Sequence, residues 1–414
     1  MGGGFLVLGV VMKTLVIGKI WPEPVSSAAG TRTMNLLLAL QEAGWETTFA
    51  TTAQASEYSV DVEGMGISSC RIAVNDSSFD GWVSDLGPDL VIFDRYMIEE
   101  QFGWRVEKAC PAALRVLDTS DLHCLREARG VQLKQGGELN LYNEVALREV
   151  ASIHRCDLTF MISEFEMGVL QEVFQIPERQ LAYLPFMIDL LDAPLRGYEE
   201  REHFVMIGSY MHEPNWDAVR WCCESIWPAI RAALPEAELH VYGSYEPPKA
   251  RQLNNSKKGI VISGRAENAI ETVGQYRVNL APLRFGAGQK GKLADGFVAG
   301  TPGVATPVAA ESMNGDIDWG CAIESESEAF ARVAVEVYSD SDVWTKVQRQ
   351  GTLIAKERFS AMKWKKAFVE RLDLLAKDAA VNRHRNFVGR MLRHHQHRST
   401  EFMSRWIEAK NRIG

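Results

Sequence analysis

Two consecutive series of short apolar runs, each run followed by an amphipathic stretch, predict an α/β chain of two doubly wound parallel-sheet domains facing a common cleft. The runs are almost continuously apolar, as strands buried on both faces must be. A polar break separates the two series. With 414 residues the chain has room for two to three domains, and its core requires no disulfide or metal.

The first series runs Thr14–Ile17, Thr47–Thr51, Leu90–Phe93, Leu114–Leu117 and Leu158–Ile162, with helical patterns at Thr31–Ala43, Glu99–Ala109 and Tyr142–His154 between them. After Leu184 and Pro185 the periodicity lapses into the charged stretch Asp192–Glu202. The second series has strands at His203–Ile207, Leu239–Tyr242, Ile260–Ile262, Val278–Ala281 and Val304–Thr306. Helices are expected at Asn215–Leu234, Gln289–Ala299, Ala329–Tyr338, Asp342–Glu357 and Met362–Ala376. This divides the chain into an N-terminal extension at 1–11, a Rossmann-like domain at 12–190, a linker at 191–202, a second Rossmann-like domain at 203–376 and a tail at 377–414.

Lys plus Arg total 45 against 54 Asp plus Glu, a net −9, which argues against nucleic acid as the partner. The seven cysteines are scattered and form no CxxC pair, as expected for free thiols in a reducing, cytoplasmic setting. The apolar N-terminal stretch is broken by Lys13 and is too short to span a bilayer.

The informative residues fall on loops at strand C-termini, where doubly wound folds bind ligands. The richest is Ala281–Asp295: a strand end, a glycine-rich turn with Gly286 and Gly288, then a helix start. Free N–H groups at a helix start attract anions, and Arg284, Lys290 and Lys292 add three cations, which together suit a diphosphate. The loop Gly208–Asn215 offers a second helix start with Ser209, His212 and Asn215; a capping role for Asn215 is the competing reading. Trp21–Arg32 is rich in small residues and includes Gly30 and Arg32. Asp118–His123 places His123 at a strand end, where an imidazole can act on a reacting centre.

These loops together resemble the GT-B glycosyltransferases, most closely family 4, the group 1 nucleotide-sugar transferases. The resemblance is densest over Phe204–Asn215, Ile226–Pro235 and Ala281–Met313. Two glutamates eight positions apart mark the family's donor site; here Asp295 holds the second position and Ala287 the first. The resemblance implies a GT-B fold and a retaining, metal-independent transfer of a hexose-like sugar from a nucleoside-diphosphate sugar, which serves as co-substrate with no cofactor. The acceptor is an unidentified glycan, lipid or protein on the side of the N-terminal domain. Lys290, with Arg284 or Lys292, would face the diphosphate; Asp295 the ribose; Gly264 and Arg265 the base. His123 would lie near the reacting sugar, and Gly30 would let the N-terminal domain approach the donor. Glu311 falls at the end of the donor signature. Epimerase-like chemistry on the same fold, or a catalytically silent binding subunit, are the alternatives.

The tail differs in kind. Residues 378–414 hold eight Lys/Arg against three acids, leaving the tail at +5 and the rest at −14. Phe402, Trp406 and Ile407 form an apolar stripe expected to pack on the protein body, with peripheral contact to an anionic inner-membrane face or a site for an anionic acceptor as the alternatives.

Overall fold

The computed structural model describes residues 11–191 and 194–413; the expected N-terminal extension lies outside them apart from Val11. The first seven strands are β1 (Lys13–Gly18), β2 (Glu46–Thr51), β3 (Ser68–Arg71), β4 (Leu90–Asp94), β5 (Leu114–Asp118), β6 (Leu158–Met161) and β7 (Leu181–Tyr183). They form one parallel sheet in the order β3-β2-β1-β4-β5-β6-β7. Val16 lies beside Phe49 on one side and Ile92 on the other, so the most apolar runs sit mid-sheet. β3 and β7 are the edges. The Ser-Ser-Cys-Arg sequence of β3 has no apolar run to announce it, because an edge strand is only half covered.

The second domain holds β8 (Glu202–Ile207), β9 (Leu239–Tyr242), β10 (Ile260–Ile262), β11 (Tyr276–Ala281) and β12 (Gly303–Ala305), parallel in the order β10-β9-β8-β11-β12. Strand order reverses between β1 and β4 in one sheet and between β8 and β11 in the other. Those reversals open crevices at the strand C-termini. The helix expected over 215–234 is interrupted: Glu213–Trp221 passes through a wide turn at Cys222–Ile226 into Trp227–Ala233. Pro228 has no N–H for the carbonyl one turn back, and the wider turn accommodates the missing bond.

The chain crosses between domains twice, and the two crossings run side by side. Ile188 pairs with Ser360 as an isolated parallel bridge, its N–H donating to the Phe359 carbonyl at 2.8 Å. The helix Ala361–Arg385 then lies on the N-terminal domain, where Phe368, Val369, Leu372 and Leu375 join one core with Leu37, Leu40 and Phe160. Each such burial contributes roughly 1.5–3 kcal/mol. The boundary expected at 376 therefore falls inside a single helix, and the crossover comes at Ser360.

The tail docks on the same domain through a polar face. Arg383 holds Asp157, His397 meets Glu107 at 2.6 Å, Lys108 meets Glu401 at 2.7 Å, and Arg105 donates to Ser404 at 3.0 Å. The expectation that the apolar stripe packs inward is corrected. Phe402 and Trp406 face solvent and Ile407 is half-buried. The surface beneath is the helix Tyr96–Ala109, which presents Glu99, Arg105, Glu107 and Lys108, so polar groups on the tail complement it. Among the described residues no helix is long and apolar enough to cross a membrane.

Candidate functional site

The glycine-rich segment follows β11 as expected. Gly286, Gly288 and Gly291 stand at G-x-G-x-x-G spacing, and the helix Gly291–Val298 opens without a side-chain cap. Among the described residues no side chain caps its first turn, the arrangement in which helix N–H groups can meet an anion. Gly288 has φ of +67°, and a Cβ there would lie 2.9 Å from that of Asp121. Only glycine lets this loop press on the N-terminal domain.

Lys292 is half-buried and its Nζ donates to Asn215 Oδ1 at 2.7 Å. Burial, reinforced by the neighbouring Lys290, pushes its ammonium down to about 7. Asp295, one turn further, has no hydrogen-bond or ion-pair partner among the described residues, and burial raises its carboxyl to about 7. Lys290 is buried and turns its Nζ onto the carbonyls of Ala287 and Gly288. Burial lowers its pKa, and Glu311 and Glu166 partly offset this. His212 projects into the cleft. Its position among protein atoms and the charges of Arg126, Lys292, Lys290 and Arg95 hold the imidazole neutral, well below its usual range. Asn215 ties the loop together by donating to the Ser209 carbonyl at 2.9 Å, so it locks the loop and Lys292 while His212 takes the cap position.

On the opposite rim, His123 begins the helix His123–Gln135. Its Nδ1 lies 3.0 Å from the Asp121 carbonyl and 3.3 Å from Glu149 Oε1. That environment places the ring proton on Nδ1 and leaves Nε2 as an acceptor. Tyr96 packs edge-on against the ring. Arg265 is half-buried beside the rim, with its guanidinium 5.0 Å from the Tyr58 ring of the N-terminal domain. Gly264 precedes it in a left-handed turn, accepting from the Gly243 N–H at 2.7 Å.

Four expected ligand-facing residues are committed elsewhere. Arg32 is buried, holds Asp118 with two nitrogens and donates to the Leu184 carbonyl at 2.8 Å. Gly30 packs against the Glu23 backbone, so its missing side chain admits a loop of its own domain. Arg284 turns away to grip Asp217 at 2.5 and 2.9 Å and lies over Trp221. Glu311 is held at 2.6 Å by Arg129, which also donates to the Gly286 carbonyl at 2.9 Å; the pair joins the two domains.

The structure adds residues that the sequence reading passed over. Lys19 follows β1, Arg95 follows β4 and Arg126 sits one turn after His123, all on the cleft-facing rim. Their signal was present: Lys19 and Arg95 lie two residues past the expected strand ends Ile17 and Phe93, and Arg126 lies at i+3 from His123. Arg95 and Ser120 both have positive φ, 73° and 61°, the strained backbone that tends to collect at functional sites. Glu166 is fully buried. It accepts from Leu122 N–H at 3.0 Å and Gly288 N–H at 2.6 Å, bridging the domains, and its Oε2 has no partner. Burial raises its pKa against those two bonds.

Residues 201–340 match the family model "Glycosyl transferases group 1". No curated protein sequence matches the chain significantly. Among solved structures, a sucrose-phosphate synthase from Thermosynechococcus elongatus is similar at a TM-score of 0.66 and 14% identity, covering 88% of this chain and 99% of that one. HepE of Anabaena, solved with UDP and glucose, gives 0.65 and 12%, covering 87% and 99%. A glycosyltransferase from Rickettsia africae gives 0.66 and 12%, covering 89% and 99%. The two facing parallel-sheet domains are thus the GT-B architecture. Residues 201–340, within the second domain, carry the group 1 glycosyl transferase match.

Proposed function

We propose that this chain moves a sugar from a nucleoside-diphosphate sugar to an acceptor, with retention and without a metal ion, in the cytoplasm. The observation that carries the reading is a cluster of cations around the glycine-rich loop. Lys292 and an uncapped helix start face a rim of cations, with no carboxylate paired to Lys292. The leaving diphosphate gains negative charge as the glycosidic bond breaks, and fixed donors aimed at it lower the barrier. Lys290 and Lys292 take this role; Arg284, already neutralised, does not. Asp295 meets the ribose hydroxyls, Arg265 flanks the base, and His123 offers Nε2 to a hydroxyl of the transferred sugar. HepE, solved with UDP and glucose, lends weight to a nucleotide-sugar donor.

Among the described residues, a group that could hold a metal, His203, Glu238 and His240, lies at the N-terminal ends of β8 and β9, away from the cleft. Neutralisation by lysines supports transfer that persists in chelator. The test is release of nucleoside diphosphate from a panel of nucleotide sugars, with the product's anomeric configuration read by NMR. Turnover in chelator with retained configuration is expected. Ala287, whose methyl group packs into the N-terminal core, favours one second reading, a silent binding subunit. Donor binding without any diphosphate release would establish that reading instead.

A further inference from the structure

The tail presents a second surface that the transfer chemistry does not use. In the helices Phe387–Leu392 and Arg398–Ile413 the residues turned to the body include the buried Gly389 and Ser404. At about 100° per residue, positions two before and two after a buried one lie on the opposite face. Those positions are Phe387 and Met391 around Gly389, and Phe402 and Trp406 around Ser404. Their exposures are 70%, 45%, 71% and 60%.

Charge is sorted between the same two faces. The acids Glu401 and Glu408 are spent on Lys108 and Ser77 of the body. Arg390 and Arg398 have no acidic partner among the described residues, and Lys410 lies 5.3 Å from the centre of the Trp406 ring. Phe387, Arg390 and Met391 line an open hollow beside Glu107, His394 and His395, while Phe402 and Trp406 stand clear on the next helix between Arg398 and Lys410. These side chains suit the headgroup level of a bilayer, where Phe, Met and Trp enter the acyl boundary and Arg and Lys meet phosphates. Two copies meeting through this face would oppose like charges.

We propose that the outward face of the C-terminal helices, with Phe387, Met391, Phe402 and Trp406 set between Arg390, Arg398 and Lys410, docks the protein on an anionic lipid bilayer. The surface is independent of the cleft and of the donor assignment.

Co-sedimentation of the full chain with vesicles of phosphatidylcholine alone, and of phosphatidylcholine with phosphatidylglycerol, tests it. Binding to the anionic vesicles only, weakened by salt, is expected. The double variant Phe402→Ser/Trp406→Ser should lower the partition coefficient at least about tenfold, and Arg390→Ser/Arg398→Ser should remove the preference for anionic lipid. Both variants should melt with the wild type, since these side chains lie outside the packing. Failure of the wild type to bind anionic vesicles, or binding unchanged in the double variant, would overturn the proposal. A wild-type dimer that the double variant converts to monomer, with no vesicle binding by either, would overturn it in favour of a second copy of the chain.

Discussion

The two rims of the cleft treat charge in opposite ways. On the N-terminal rim Arg32, Arg95 and Arg126 each have a carboxylate beside them, Asp118, Asp94 and Asp121 respectively. On the C-terminal rim Lys292 has only an amide oxygen, and Asp295 has no partner among the described residues. A half-buried charge without a counter-charge costs free energy, so pairs mark the frame and unpaired groups mark the place a ligand completes. The same rule separates Arg284 from Lys292, which lie eight positions apart in one segment.

The sharpest way to break the comparison is Arg32→Ala. It would leave Asp118 buried and unpaired, and should cost about 3–5 kcal/mol of stability by chemical denaturation. A small loss there would mean the N-terminal pairs are not the frame. Lys292→Ala should do the reverse, cutting turnover about 10²–10³-fold while the melting temperature stays near that of the wild type. Lys290→Ala should follow it in turnover. Arg284→Ala should keep turnover within a few-fold and lower the melting temperature, since it strips Asp217 of its partner; a large turnover loss would return Arg284 to the donor site.

Acidity sharpens the same contrast. Lys292 is depressed to about 7, and the charged form binds the diphosphate. The donor kcat/KM should therefore fall as pH rises above about 7, up to tenfold per unit, and Lys292→Arg should shift the fall to higher pH. The smallest effect concerns the tail. Burial lowers the His397 pKa, but Glu107 and Glu99 outweigh it and hold it above the ordinary 6.5. A raised folded value means the docking contribution is complete below about pH 6.5 and lost as pH rises through the folded pKa. Proteolytic clipping of the tail should increase over that rise in the wild type and be flat with pH in His397→Gln.

Much of the fold was legible because burial writes itself into composition. β1, β4, β5 and β6 are apolar runs flanked by helical patterns, and Gly286–Gly291 announces a strand–turn–helix. β3 was not legible, since its four residues are covered on one side only. The helix Ala361–Arg385 was read to 376 because its apolar stripe thins beyond Leu375, while polar residues such as Arg383 continue the contact by hydrogen bonds.

The sequence by itself determined two parallel-sheet domains, their order, and a cationic glycine-rich loop at the end of β11. It did so because strand burial and helix periodicity are local patterns. Only the tertiary structure decided which charged groups are paired within the chain. Arg32, Arg284 and Glu311 look as available in sequence as Lys292 and Asp295, yet their partners Asp118, Asp217 and Arg129 lie 86, 67 and 182 residues away. Tertiary structure likewise turned Phe402 and Trp406 outward, because the helix they dock beside is polar. A side chain's residual charge or exposure depends on what distant segments place beside it, and no local pattern carries that information.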